Sequence, residues 1–138
     1  MILQRIAYTD LNSRQRENYN FQKAAAMLAD YGFNCLRLSD DWQGADLIAC
    51  HIDGQTFLKI QLKGRLVADR KYLGKEIHIA FFHGSDLYLY DHDDFVRVLE
   101  GDGRIGADSV SWHQHGFRTW PSPPAWARTY LAPFRISA

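Results

Sequence analysis

The chain has 138 residues, 46% of them hydrophobic, which is enough for one compact domain with a real core and too few for two ordinary ones. Lys and Arg number 16 and so do Asp and Glu, so no global positive field marks a nucleic-acid binder, and any basic footprint is local. Cys35 and Cys50 are too few for a disulfide scaffold and lack the paired spacing of a zinc site. They read as reduced, buried thiols in a cytoplasmic setting. No apolar run approaches the ~18 residues that cross a bilayer, and the first residues hold no long apolar segment of a leader, so no membrane partner is expected.

The first element expected is a helix over Ser13 to Tyr31. Asn12 followed by Gln15 has the form of a capping box, and Gly32 supplies a stop. Phe21, Ala24, Ala25, Met27 and Leu28 recur at spacings of three and four and give it one apolar face. Glu17 stands four residues before Phe21, on that same stripe. Either its charge favours the helix dipole and reaches water at the rim, or it points into a site beside a sheet.

Phe33 to Leu38 reads as a short strand and Ser39 to Ala45 as a polar loop. Asp46 to Ile52 and Gln55 to Leu62 read as longer strands around Asp53-Gly54, the dipeptide of a two-residue type I′ hairpin. Two more strands are expected at Glu76 to Phe82 and Asp86 to Tyr90, around His83-Gly84-Ser85. Asp91 then caps a helix carrying Phe95, Val96, Val98 and Leu99 and ended by Gly101. Residues 101–109 read as a loop, and a last short helix begins at Ser122, before Pro123-Pro124, and runs through Tyr130. The tail from residue 101 onward otherwise reads as an irregular extension, its Trp112, Trp120 and Trp126 as packing residues more than base-stacking platforms. His92, Asp93, His113 and His115 lack the spacing of a metal site.

The hairpin concentrates chemistry. Pairing Ile52 with Gln55 and continuing outward brings Asp46 opposite Gln61, so the two side chains share a face. Lys59, Gln61 and Lys63 then form one row, with Lys63 diagonal to Asp46 and within reach of it. An acid, an amide and an ammonium converge on a small area. An ordinary hairpin with a wet outer face would also place Lys and Gln there. The run DLIAC, apolar on both sides after its acid, argues instead for a sheet covered on both faces.

Gly44-Ala45-Asp46, a hairpin, then Gln61-Leu62-Lys63 resembles the core motif of the PD-(D/E)xK nuclease superfamily, in the Mrr-type and Holliday-junction-resolvase-like variant with glutamine for the second acid. The resemblance spans about Ser13 to Phe82. It implies an α/β protein with a restriction-endonuclease-like core: a mixed sheet of about five strands flanked by helices, occupying about residues 13–100. By the same resemblance, Asp46, the Gln61 side-chain oxygen and the Leu62 carbonyl hold Mg2+ or Mn2+, an oxygen-rich site that suits a hard ion. Lys63 orients or activates the attacking water and stabilises charge on the phosphate. Glu17 is the glutamate that the first helix contributes, one turn earlier than the family's usual place near Phe21. Because Gln61 is neutral, Glu17, Asp40 or Asp41 would have to supply a second acid. The family places a helix between its third and fourth strands, and Gly64 to Lys75 could hold no more than two turns of one. That linker carries Arg65, Arg70, Lys71 and Lys75, which serve either as contacts to DNA phosphates or as a solvated loop.

The expected activity is metal-dependent hydrolysis of DNA phosphodiesters, on duplex or branched DNA, by a homodimer able to grip it. The alternatives are a catalytically weak or inactive relative that binds nucleic acid or protein, and a plain interaction domain. No GxGxxG, P-loop or GxSxG motif supports other chemistry.

Overall fold

A computed structural model describes residues 1–106 and 110–137, without the side chains of Asp41 and Trp42. The first helix, α1, spans Ser13–Ala29, and the expected capping box is formed in both directions: Asn12 accepts the Gln15 N–H and Gln15 accepts the Asn12 N–H, each at 2.9 Å. Ala24, Met27 and Leu28 of its apolar stripe are buried.

A six-stranded mixed sheet follows from strands β1 (Phe33–Trp42), β2 (Ala45–His51), β3 (Phe57–Lys63), β5 (Ile77–His83), β6 (Asp86–Asp91) and β8 (Arg135–Ile136), adjacent in that order. The intervening β4 (Leu66–Asp69) and β7 (Phe117–Trp120) form a separate two-stranded sheet. All neighbours in the large sheet are antiparallel except β3 and β5, which run parallel. Helix α2 (His92–Gly101) begins at Asp91, whose carboxylate accepts the Asp94 N–H at 3.0 Å, as expected of that cap. Helix α3 spans Ala125–Leu131, three residues later than the serine expected to start it, with no side-chain cap at Pro124.

Both faces of the sheet are covered. One carries α1 over Leu47, Ala49, Ile60 and Ala80. The other carries β4, α2 and the C-terminal segment over Ile77, Ile79, Phe81 and Tyr90. Alternation along β5 sends its residues to the two cores in turn, which is why the central strands are apolar on both sides. Among the described residues no helix is long and apolar enough to cross a membrane.

Four local expectations are corrected. Strand β1 does not stop at Leu38 but runs on to Trp42, because an irregularity between Arg37 and Trp42 is accommodated inside the ladder. The Asp53-Gly54 turn is not a two-residue type I′ turn. His51 N–H bonds the Thr56 carbonyl at 2.9 Å, closing a four-residue loop, and Gly54 alone of its two central candidates has positive φ (71°). Asp53 instead turns its carboxylate on the chain, accepting the N–H groups of Gln55 and Thr56, each at 2.8 Å. The tail beyond residue 101 is not irregular throughout, since β7 and β8 join the two sheets; residues 107–109 of the expected loop lie outside the described residues. The cysteines are free thiols but half-buried, and burial and the neighbouring Cys50 push the Cys35 thiol upward.

The crossover from β3 to β5 holds β4 and a single 3-10 turn at Arg70–Tyr72, within the two helical turns that its length allows. Side chains position it instead. The buried Tyr90 hydroxyl donates to the Val67 carbonyl at 2.6 Å and receives the Val67 N–H at 3.1 Å. His92, fully buried, accepts the Asp69 N–H at Nε2 (2.9 Å), which leaves Nδ1 to donate to Asp93 at 3.0 Å. The histidine and aspartate set aside as metal ligands thus hold backbone. Trp120 and Trp126 pack against Phe95, and Trp112 is buried, in keeping with a packing role.

Candidate active site

Strands β2 and β3 pair Leu47 with Ile60 and Ile48 with Lys59, the register expected from the sequence. Continued by one residue, it sets Asp46 beside Gln61, although the paired ladder itself ends at Leu47 and Ile60. In this alternation Leu62 would next exchange main-chain bonds with Ala45. Its N–H goes instead to the Asp46 carboxylate, at 2.9 Å. The acid therefore caps the ladder where the two strands part.

Opposite that acid, β1 is irregular. Arg37 pairs with Leu47 and Trp42 with Ala45, so the four residues between them face Asp46 alone. This large bulge takes Leu38, Ser39 and Asp40 out of the ladder beside the acid. The chain then reverses through Gln43 (φ 56°) and Gly44 (φ 91°), a pair of positive φ values such as a type I′ turn demands. Gly44 is constrained twice over, because a Cβ there would sit 2.9 Å from the Tyr72 ring.

The carboxyl ends of β1, β3 and β5 and the start of β2 meet at one end of the sheet and, with the first turns of α1, enclose a cavity of about 780 Å³. Glu17, Asp46, Gln61, Leu62 and Lys63 all line it. Arg14, Asn18, Arg37, Ser39 and Asp40 line it as well. Five positions singled out in the sequence are thus brought together. Glu17 is exposed and continues the stripe formed by half-buried Phe21 and buried Ala24 and Leu28.

Tyr72 supports the site from the other face. Its ring is buried against Gly44, and the ammonium of Lys63 lies 5.4 Å from its centre. Burial pushes the Tyr72 phenol upward, Lys71 pulls against that shift, and the charge of Asp46 adds a smaller push. Lys63 therefore reaches the cavity along an aromatic wall.

The basic linker residues do not join this cavity. Arg65 is exposed just past Gly64, which lines it. Arg70 donates to the His113 carbonyl at 3.3 Å, and Lys71 faces Asp69 at 3.8 Å and the Tyr72 ring at 5.1 Å. Lys75 is half-buried beyond the 3-10 turn of Arg70–Tyr72.

Sequence reasoning missed Arg14, Asn18 and Arg37. Helical arithmetic from Glu17 and Phe21 would have found the first two, since positions 14, 18 and 21 form one stripe. No local signal marks Arg37, whose place depends on where the β1 bulge falls. Asp40 is in place as a further acid, whereas the side chain of Asp41 lies outside the described residues. Among the described residues, no three His, Cys, Asp or Glu side chains gather closely enough to hold a metal ion by themselves.

No protein-family description and no curated protein sequence matches the chain. Among solved structures, a bacterial homing endonuclease, I-Ssp6803I, superposes with a TM-score of 0.46 at 18% sequence identity, over 62% of this chain and 69% of that one.

Proposed function

We propose that this chain is a divalent-metal-dependent DNA endonuclease of the PD-(D/E)xK kind. The observation that carries the reading is the convergence of Asp46, Gln61, Lys63 and Glu17 on one cavity at a sheet end, the first two lying one residue beyond the last pair of the β2–β3 ladder.

The donor set fits magnesium or manganese in part. Carboxylates from Asp46, Glu17 and Asp40 and the Gln61 amide oxygen are all hard oxygen donors. They do not make a closed cage, but magnesium commonly keeps several waters and takes one or two carboxylates plus substrate phosphate. Asp46 and Gln61, with the Leu62 carbonyl, are the residues we assign to hold it. When bound, the ion would polarise the phosphodiester and make an attacking water more acidic.

The protein's own contribution is positioning and charge. The Leu62 N–H fixes the Asp46 carboxylate at the mouth of β2. Lys63 supplies a cation for the negative charge that builds on the phosphate as water attacks, held on its wall by Tyr72. Arg65, directly after the site, and Lys71 and Lys75 beyond it are proposed to meet the DNA backbone outside the cavity; Arg70 joins them with less freedom, being tied to His113. A homodimer gripping the duplex belongs to the same proposal, and light scattering decides between one chain mass and two.

A second reading, a binding module that has lost catalysis, is favoured by the uncharged Gln61. Cleavage separates the two. Linear, single-stranded, flapped and four-way-junction DNAs are incubated with magnesium or manganese and the wild type, Asp46→Asn or Lys63→Ala. Cutting by the wild type alone supports the nuclease. Binding without cutting by any of the three supports the module.

A further inference from the structure

Arg37 is the last residue of β1 in regular register before the bulge, opposite Leu47. Leu47 belongs to the core under α1, and paired residues of neighbouring strands share a face, so Arg37 projects to the α1 side. There its guanidinium donates to the Asn18 side-chain oxygen and lies 5.5 Å from the centre of the Phe21 ring. Arg14, one turn before Asn18, lines the same wall of the cavity.

These two cations differ from others in the molecule. Arg97 is paired with Asp94, Lys71 with Asp69 and Arg104 with Asp102. Among the described residues no carboxylate pairs with Arg14 or Arg37. The amide of Asn18 and the ring of Phe21 hold the Arg37 fork in place without cancelling its charge. A planar fork of donors, oriented and un-neutralised at the wall of an open cavity, matches the paired oxygens of a phosphate.

We propose that Arg37, seconded by Arg14, binds a backbone phosphate of the cleaved DNA strand, a different one from the phosphate that reacts, on the α1 wall, while Lys63 serves the reacting phosphate from β3. The inference rests on the nuclease reading and adds to it the path of the strand, from the first turns of α1 to the carboxyl end of β3. The bulge is what lets a strand pass between the two walls, since it turns Leu38 to Asp40 out of the ladder beside Asp46.

The test measures binding of a fluorescein-labelled duplex by anisotropy without divalent metal, at a series of salt concentrations, for the wild type, Arg37→Gln and Arg14→Gln. Arg37→Gln is expected to weaken binding roughly fivefold to tenfold at ~0.1 M salt and to reduce the slope of log affinity against log salt by about 1. Arg14 is exposed and has no side-chain partner among the described residues, so Arg14→Gln is expected to reduce the slope similarly at an unchanged melting temperature. Wild-type slopes in both variants overturn the inference, as does weakened binding by Arg37→Gln at an unchanged slope, which would mark a merely structural stack on Phe21. Inorganic phosphate is the second arm: if it raises the wild-type melting temperature but not that of Arg37→Gln, while DNA affinity is equal, the site takes a small anion and the DNA assignment falls. A wild type that binds no DNA overturns the inference and the nuclease reading together. One that binds with an Arg37-dependent slope but cuts nothing with magnesium sinks the nuclease reading and leaves the phosphate contact standing.

Discussion

The two ends of the β2–β3 hairpin each carry an aspartate, and the two acids are used in opposite ways. At the closed end, Asp53 is spent on its own loop. The Thr56 hydroxyl, at 2.6 Å, and the N–H groups of Thr56 and Gln55 all donate to its carboxylate and hold it well below the usual carboxylate range. At the open end, Asp46 accepts the main-chain N–H of Leu62 across the strand gap and stands at the wall of a cavity lined also by an amide, an ammonium and a second acid. Local hydrogen bonds absorb the first acid, and the parting of the strands presents the second. On the proposed reading, chemistry belongs to the end where the ladder stops.

The largest effect that would break this contrast is expected from the open end. Lys63→Ala or Asp46→Asn should each lower the DNA cleavage rate by roughly a thousandfold, the scale of losing one charge-stabilising group. Asp53→Asn should leave the rate unchanged. If the turn variant lost as much cleavage as the open-end variants, the hairpin as a whole, and not its open end, would matter.

A smaller effect sharpens the comparison. Gln61→Glu adds a negative charge beside Asp46 and is expected to lower the half-saturating magnesium concentration for cleavage by roughly tenfold. A magnesium titration that does not move would remove Gln61 from the ion's surroundings.

The smallest effect lies at the closed end and depends on pH. Because the folded Asp53 carboxyl titrates below its unfolded value of ~3.9, its contribution is fully present above that value and is lost as the pH falls toward the folded value. Asp53→Asn keeps an oxygen for the two N–H groups but removes the charge. Melting curves between about pH 2 and 7 should therefore show a shallower acid limb for the variant, by a modest amount because the group is exposed to solvent. Identical acid limbs would mean that the turn does not lower this carboxyl.

The resemblance that suggested a site was legible because it rested on short-range rules. Alternation and a single turn settle which residues of a hairpin share a row, and the register survived even though the loop proved two residues longer, since His51 and Thr56 pair in the same phase as Ile52 and Gln55 would have. The capping of α1 by Asn12 and Gln15, and of α2 by Asp91, were equally local. The place of Arg37 was not legible. It depends on a bulge whose position is set by how far β1 can follow β2 before Asp46 leaves the ladder, and nothing near Arg37 in the chain encodes that.

What the sequence determined by itself is therefore the phase of the hairpin, the capped starts of α1 and α2, and the row that joins Asp46, Gln61 and Lys63, because hydrogen bonds and side-chain period act over a few residues. Only the tertiary structure decided that β8 completes the sheet, that Tyr72 backs Lys63 across the fold, and that α1 and the β1 bulge close a cavity around the acid. The first and last of those contacts join residues far apart in the chain, the second depends on the fold of the β3–β5 crossover, and all form only once both faces of the sheet are packed.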